Sequence, residues 1–150
     1  MKNIFQTETT DELIERINKL TPDSPALWGK MNVAQMLAHC CVSYEMVYDN
    51  IHKAPNGFLK LIIKWFVKES VVNDKPYKKN GQTAPAFIIT TTKDFEKEKA
   101  RLIAYIEKTK DLGESFFDQK ESLSFGRLTV TQWNNMFYKH LDHHLSQFGV

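Results

Sequence analysis

Thr129-Val-Thr-Gln-Trp-Asn-Asn-Met-Phe-Tyr-Lys-His-Leu-Asp-His-His-Leu-Ser-Gln-Phe148 carries apolar side chains at Trp133, Met136, Phe137, Leu141, Leu145 and Phe148. That three-and-four spacing gathers them on one side of a helix. Thr129 and Gln132 form a capping pair, in which each side chain satisfies the other's free backbone N–H, so the helix begins there. Three of the five histidines fall within this segment. His140 and His144 stand about 40° apart and one turn apart along the axis, so their rings can converge, whereas His143 falls roughly 60° to the other side of His140. The pair shares its side of the helix with Trp133, Met136 and Phe137 and therefore points inward. Two buried neutral imidazoles are costly unless something accepts their lone pairs. A metal ion does so, and HxxxH on a helix is an efficient bidentate arrangement.

Three further long segments read as helices. Thr9 followed by Glu12 is a capping box that starts the first at Thr9 or Thr10. Leu13, Ile14, Ile17 and Leu20 form its stripe, and Thr21-Pro22 ends it. Asn32 and Gln35 open the second, from about Val33 to Asp49. Its broad apolar face (Val33, Met36, Leu37, Val47 and two cysteines) marks a central helix. The third runs from about Lys93 to Lys110, capped by Thr91 or Thr92, with Phe95, Leu102, Ile103 and Ile106 inward and alternating Lys and Glu outward. Asp111–Leu128 reads as a long loop pinned by Phe116, Phe117 and Phe125, and Asn73–Pro85 as another loop. A few residues of Ala86–Thr90 can be extended. Phe58–Lys68 reads as a short amphipathic helix with Lys60, Lys64 and Lys68 along one edge. The plain expectation packs it on the body with its lysines solvated. A homodimer contact or a membrane-surface contact is the sharper alternative, with the dimer ahead. The whole chain, 1–150, thus reads as a single all-α domain: an antiparallel four-helix bundle with an extra short helix and long connecting loops.

A third ligand must come from another helix. His39 lies in the middle of the second, on a face with Gln35, Met36, Ser43 and Met46. His52 sits in a loop beside Lys53 and Pro55 and is a poorer candidate. Spacing alone leaves two readings open: a metal site, or hydrogen-bonded core histidines with an accidental HxxxH. Cys40 follows His39 but lies about 100° off its direction, so Cys40 and Cys41 read as small core residues. Helical phase points Glu45 and Asp142 away from the histidines. A general base would have to come from the loops, such as Glu114, Asp118 or Glu121, and nothing selects one.

A net charge of +2 with 25% charged residues gives no footprint for nucleic acid. Adjacent cysteines cannot easily bridge within a helix and suit a reducing compartment. Met1–Asp11 lacks the apolar core of a signal peptide, and Phe58–Val67 is too short to span a bilayer. These features lead to the expectation of a cytoplasmic protein with no integral membrane segment.

Trp28-Gly-Lys-Met-Asn-Val-Ala-Gln-Met-Leu-Ala-His39 resembles the start of the second helix of DinB-like proteins. Phe125-Gly-Arg-Leu-Thr-Val-Thr-Gln-Trp133, with His140-Leu-Asp-His-His144-Leu-Ser-Gln-Phe-Gly149, resembles their fourth. The resemblance covers nearly the whole chain in segment order. It is closest to a branch of that superfamily known only as a domain of unknown function. It implies an antiparallel four-helix bundle holding one divalent ion through His39, His140 and His144, with His143 a neighbour rather than a ligand. Imidazole suits several ions, so Zn, Ni, Mn and Fe all remain open. It also implies, for some relatives, transfer of a low-molecular-weight thiol to a small electrophile, the ion holding the thiol as thiolate. Metal-dependent hydrolysis is the other enzymatic expectation. A non-catalytic ligand-binding or stress-associated protein, its metal structural or absent, is the alternative.

Overall fold

A computed structural model describes all of residues 1–150. The chain is mostly helical: α1 (Thr7–Asn18), α2 (Val33–Tyr48), α3 (Gly57–Phe66), α4 (Lys68–Val72), α5 (Phe95–Phe117) and α6 (Val130–Gln147), with a short 3₁₀ turn at Pro85–Phe87. A two-stranded antiparallel sheet joins β1 (Glu121–Ser122) to β2 (Gly126–Arg127), pairing Glu121 with Arg127 and Ser122 with Gly126. No helix is long and apolar enough to cross a membrane.

The capping pairs of α2 and α6 form as the sequence dictates. Asn32 and Thr129 each accept from the backbone N–H three residues on, while Gln35 and Gln132 reach back. These two boxes fix where both helices start and hence the phase of every later residue. The apolar stripes then meet in one core that includes Leu13 and Ile17 of α1, Met36 and Leu37 of α2, Leu102 and Ile106 of α5, and Trp133, Phe137 and Leu141 of α6. Both α5 and α6 pack against α1 and against α2, and against each other.

Several expectations need correction. The first helix starts at Thr7, not at Thr9 or Thr10, and has no side-chain cap. Thr9 and Thr10 are buried inside it, and the Thr10 hydroxyl donates to the Ile4 carbonyl at 3.0 Å. Ile4 is itself fully buried, so the chain is anchored and turning before the predicted cap is reached. Asp94, not Thr91 or Thr92, caps α5. That helix breaks at Gly113 (φ +69°) and then makes a further turn to Phe117, so the expected loop from Asp111 is shorter and contains the sheet. Phe117 is fully buried, but Phe116 is exposed. Around Ala86–Thr90, Pro85–Phe87 coils into the 3₁₀ turn, and Ile88 after it is extended without joining a sheet. The segment after Asn56 is two helices, α3 and α4, and α3 buries none of its residues.

Candidate metal centre

The seventh residue of α2 is His39, and His140 and His144 lie one turn apart on α6. The two helices pack together and bring the three rings into a nearly equilateral triangle. Ring centroids are 4.9 Å apart for His39–His140, 4.4 Å for His39–His144 and 4.9 Å for His140–His144. One ligand nitrogen from each ring lies within 4.8 Å of the others. Three nitrogens around one ion at about 2.1 Å would stand about 3.0 to 3.4 Å apart, so small side-chain adjustments suffice.

Each outer nitrogen has its own partner. His39 Nδ1 lies 2.8 Å from the Phe87 carbonyl, which can only accept. His144 Nδ1 lies 2.8 Å from Gln147 Oε1. The Gln147 amide cannot flip without loss, because its Nε2 donates to the Trp28 carbonyl at 2.6 Å. Both rings are therefore Nδ1–H tautomers with bare Nε2 lone pairs. His140 Nδ1 meets Ser43 Oγ at 2.9 Å, a hydroxyl able to donate or accept. The His140 and His39 Nε2 atoms are 2.9 Å apart, so without an ion one proton between them satisfies both. When the hydroxyl rotates to accept from Nδ1, His140 too presents a bare Nε2. Ligating histidines are held by such outer partners, which fix ring orientation and raise basicity.

Burial sets the charge state. His39, His140 and His144 are only 4%, 9% and 9% exposed. Desolvation pushes all three below the ordinary imidazole range. It takes His140 well down and, with the His39 charge adding to it, His144 down to about 3. All three are neutral at pH 7, the state a metal ion requires.

Other candidates lie elsewhere. His143 is outside the triangle, edge-on to Tyr77 at 5.7 Å and to Trp28 at 5.9 Å, with its ring 5.0 Å from that of His144. His52 Nε2 meets Glu45 Oε2 at 2.7 Å. The Glu45 carboxylate also binds Arg101, which binds Glu98. Asp142 pairs with Arg16 at 2.8 Å, Glu114 accepts from Asn3, and Glu121 faces Lys60. Asp118 caps the end of α5. Cys40 and Cys41 are buried free thiols. Burial raises Cys40 well above the usual thiol range and pushes Cys41 up to about 12, so neither is a nucleophile.

Sequence reasoning missed three elements of the surroundings. Gln147 stands three residues after His144 and could have been found from that spacing. The Phe87 carbonyl left no signal, since any residue in a loop offers one. Lys139, beside His140, is buried with its ammonium donating to Ser70 O, Asn73 O and Asn73 Oδ1 at 2.7–2.9 Å, which ties the end of α4 to α6. Its desolvation, largest of the influences on it, brings its pKa down to about 8.

A family model described as "Protein of unknown function (DUF1569)" matches residues 2–149. Neither the curated proteins nor the solved structures give a significant match.

Proposed function

The chain belongs to the DUF1569 family, and we propose that it is a divalent-metal protein of the DinB-like type, its ion held by His39, His140 and His144. In this reading α1, α2, α5 and α6 are the antiparallel four-helix bundle of that type. The observation that carries it is the inward convergence of three neutral imidazoles, with every Nδ1 engaged by an outer partner. Three neutral ligands leave an ion its full charge and open positions. An ion so held supplies a Lewis acid that lowers the pKa of a bound thiol or water. The reaction class is hydrolysis, or transfer of a low-molecular-weight thiol to a small electrophile. The residues' own part is to hold three lone pairs at one point: Phe87, Ser43 and Gln147 keep the rings from turning.

Elemental analysis of protein purified without chelators tests the reading. The expected result is one Zn, Ni, Mn or Fe ion per chain, lost in His39→Ala and His144→Ala. Full stoichiometry retained in His39→Ala would remove that residue from the site. Turnover of thiol and electrophile mixtures by the metal-loaded protein, abolished in His144→Ala, would place it among the transferases.

One observation favours a second reading. The 2.9 Å contact between His39 and His140 lets those two rings satisfy each other with a shared proton and no ion. The chain would then be a non-catalytic ligand-binding or stress-associated protein, and ligand binding would survive chelation unchanged.

A further inference from the structure

Helix α3 is amphipathic in the wrong sense for a surface helix. Its apolar side chains face solvent: Phe58 is 76% exposed, Trp65 75% and Phe66 81%, with Leu59, Leu61, Ile62 and the following Val67 also open. Of the lysines along its edge, Lys60 in α3 and Lys68 at the start of α4 reach the body, while Lys64 stays exposed. Lys60 pairs with Glu121 of β1 at 3.3 Å, and Lys68 reaches the Arg127 carbonyl of β2 at 3.5 Å. The two-stranded sheet thus meets the charged edge through Lys60 and Lys68, and the rings of Phe58, Trp65 and Phe66 lie open to solvent. The expectation of a helix packed on the body fails, since α3 buries none of its residues, whereas its lysine edge is solvated at Lys64 as expected.

We propose that this face is a homodimer contact, in which α3 packs antiparallel on α3 of a second copy. Three observations select that occupant. The first is area: at 150–250 Å² per aromatic side chain, the three rings alone expose roughly 400–600 Å². With four aliphatic side chains added, the face approaches the ~800 Å² per partner of a stable interface. The second is self-complementarity. Phe58, Leu61/Ile62 and Trp65/Phe66 recur one and two turns along the helix, so a two-fold axis through Leu61/Ile62 sets each Phe58 opposite the other copy's Trp65/Phe66. A recess of about 220 Å³ lies there, lined by Leu61, Ile62, Trp65 and Phe66, and it receives the second copy's Phe58 ring. The third is charge. A helix lying on an anionic bilayer presents its cations beside the apolar face, whereas two of the three lysines here are held by their own chain.

Sedimentation equilibrium of the intact chain at tens of micromolar tests this. The expected mass is twice 17.5 kDa, that is 35 kDa. Trp65→Glu and Phe58→Glu are each expected to sediment at 17.5 kDa with unchanged helical circular dichroism, because neither side chain is buried in a single copy. A wild-type monomer overturns the proposal whatever the variants do. A dimer that survives both substitutions also overturns it, as does a monomer that co-sediments with phosphatidylglycerol vesicles, which would assign the face to lipid.

Discussion

At the scale of single residues, the imidazoles depend on neighbours that never touch one another in sequence. His144 is oriented by Gln147, Gln147 by the Trp28 carbonyl, and that carbonyl by a loop that crosses α6 at Gly29. Leu27 N–H donates to the Gln147 carbonyl at 2.8 Å, which draws the loop close. Gly29 has φ +85°, and a Cβ there would collide with Gln147 Nε2. The positive φ favours glycine here, and an added Cβ would push aside the end of the Gln147 side chain. Gly29→Ala should therefore displace the amide, release His144 Nδ1 and weaken metal affinity by about 10- to 100-fold, the usual cost of losing an outer partner. Gln147→Leu should do the same without touching the loop. Competition against a chromophoric zinc chelator measures both. Equal affinity in Gln147→Leu and wild type would show that His144 is held by packing alone.

Elements were legible in the sequence where the signal is local. Asn32/Gln35 and Thr129/Gln132 act over three residues and form as written, so the phases of His39, His140 and His144 followed from counting. Thr9/Glu12 has the same spacing and fails, because Thr10 bonds Ile4 and Glu12 pairs with Lys2 instead. Competition from outside the helix decided that case, and no local pattern contains it. The periodicity of α3 gave a helix but not which side meets the body, since that depends on Glu121 and Arg127, some sixty residues away. Likewise the HxxxH pair and His39 were visible, while the Phe87 carbonyl that turns His39 inward was not. Two threonine boxes of the same spacing, one closed by Glu12 and one by Gln132, should therefore respond differently. Thr129→Ala is expected to cost about 1 kcal/mol of unfolding free energy, the value of an N-cap. Glu12→Ala removes only an exposed ion pair with Lys2 and should leave the urea midpoint essentially unchanged. Urea midpoints at constant slope measure the difference, and equal losses would restore the first box.

Across the whole molecule, the cluster places three titratable groups where the core excludes water, and this couples its charge state to folding. In the folded chain burial holds His39, His140 and His144 below the ordinary imidazole range, His144 at about 3. In the unfolded chain each titrates near 6.5. Below that value the unfolded state binds more protons than the folded one, so stability falls as pH falls. The loss begins as pH drops through about 6.5 and continues toward the folded value, with a limit of about 1.4 kcal/mol per pH unit for each histidine. Above pH 7 the contribution of these three imidazoles should vanish, because all three are neutral in both states. Lys139, brought down to about 8 by burial, takes over the dependence at higher pH. Carboxylates titrate mainly below pH 5, so the interval between about 6.5 and 5 isolates the histidines. Metal-free protein unfolded in urea across that interval should lose stability steadily, and His144→Gln should flatten the slope by up to one proton's share. Bound metal should steepen the wild-type slope, since protons compete for the same lone pairs. A metal-free slope unchanged by His144→Gln would mean that this ring is already protonated, or solvated, in the folded chain, and the neutral triad on which the metal reading stands would be gone.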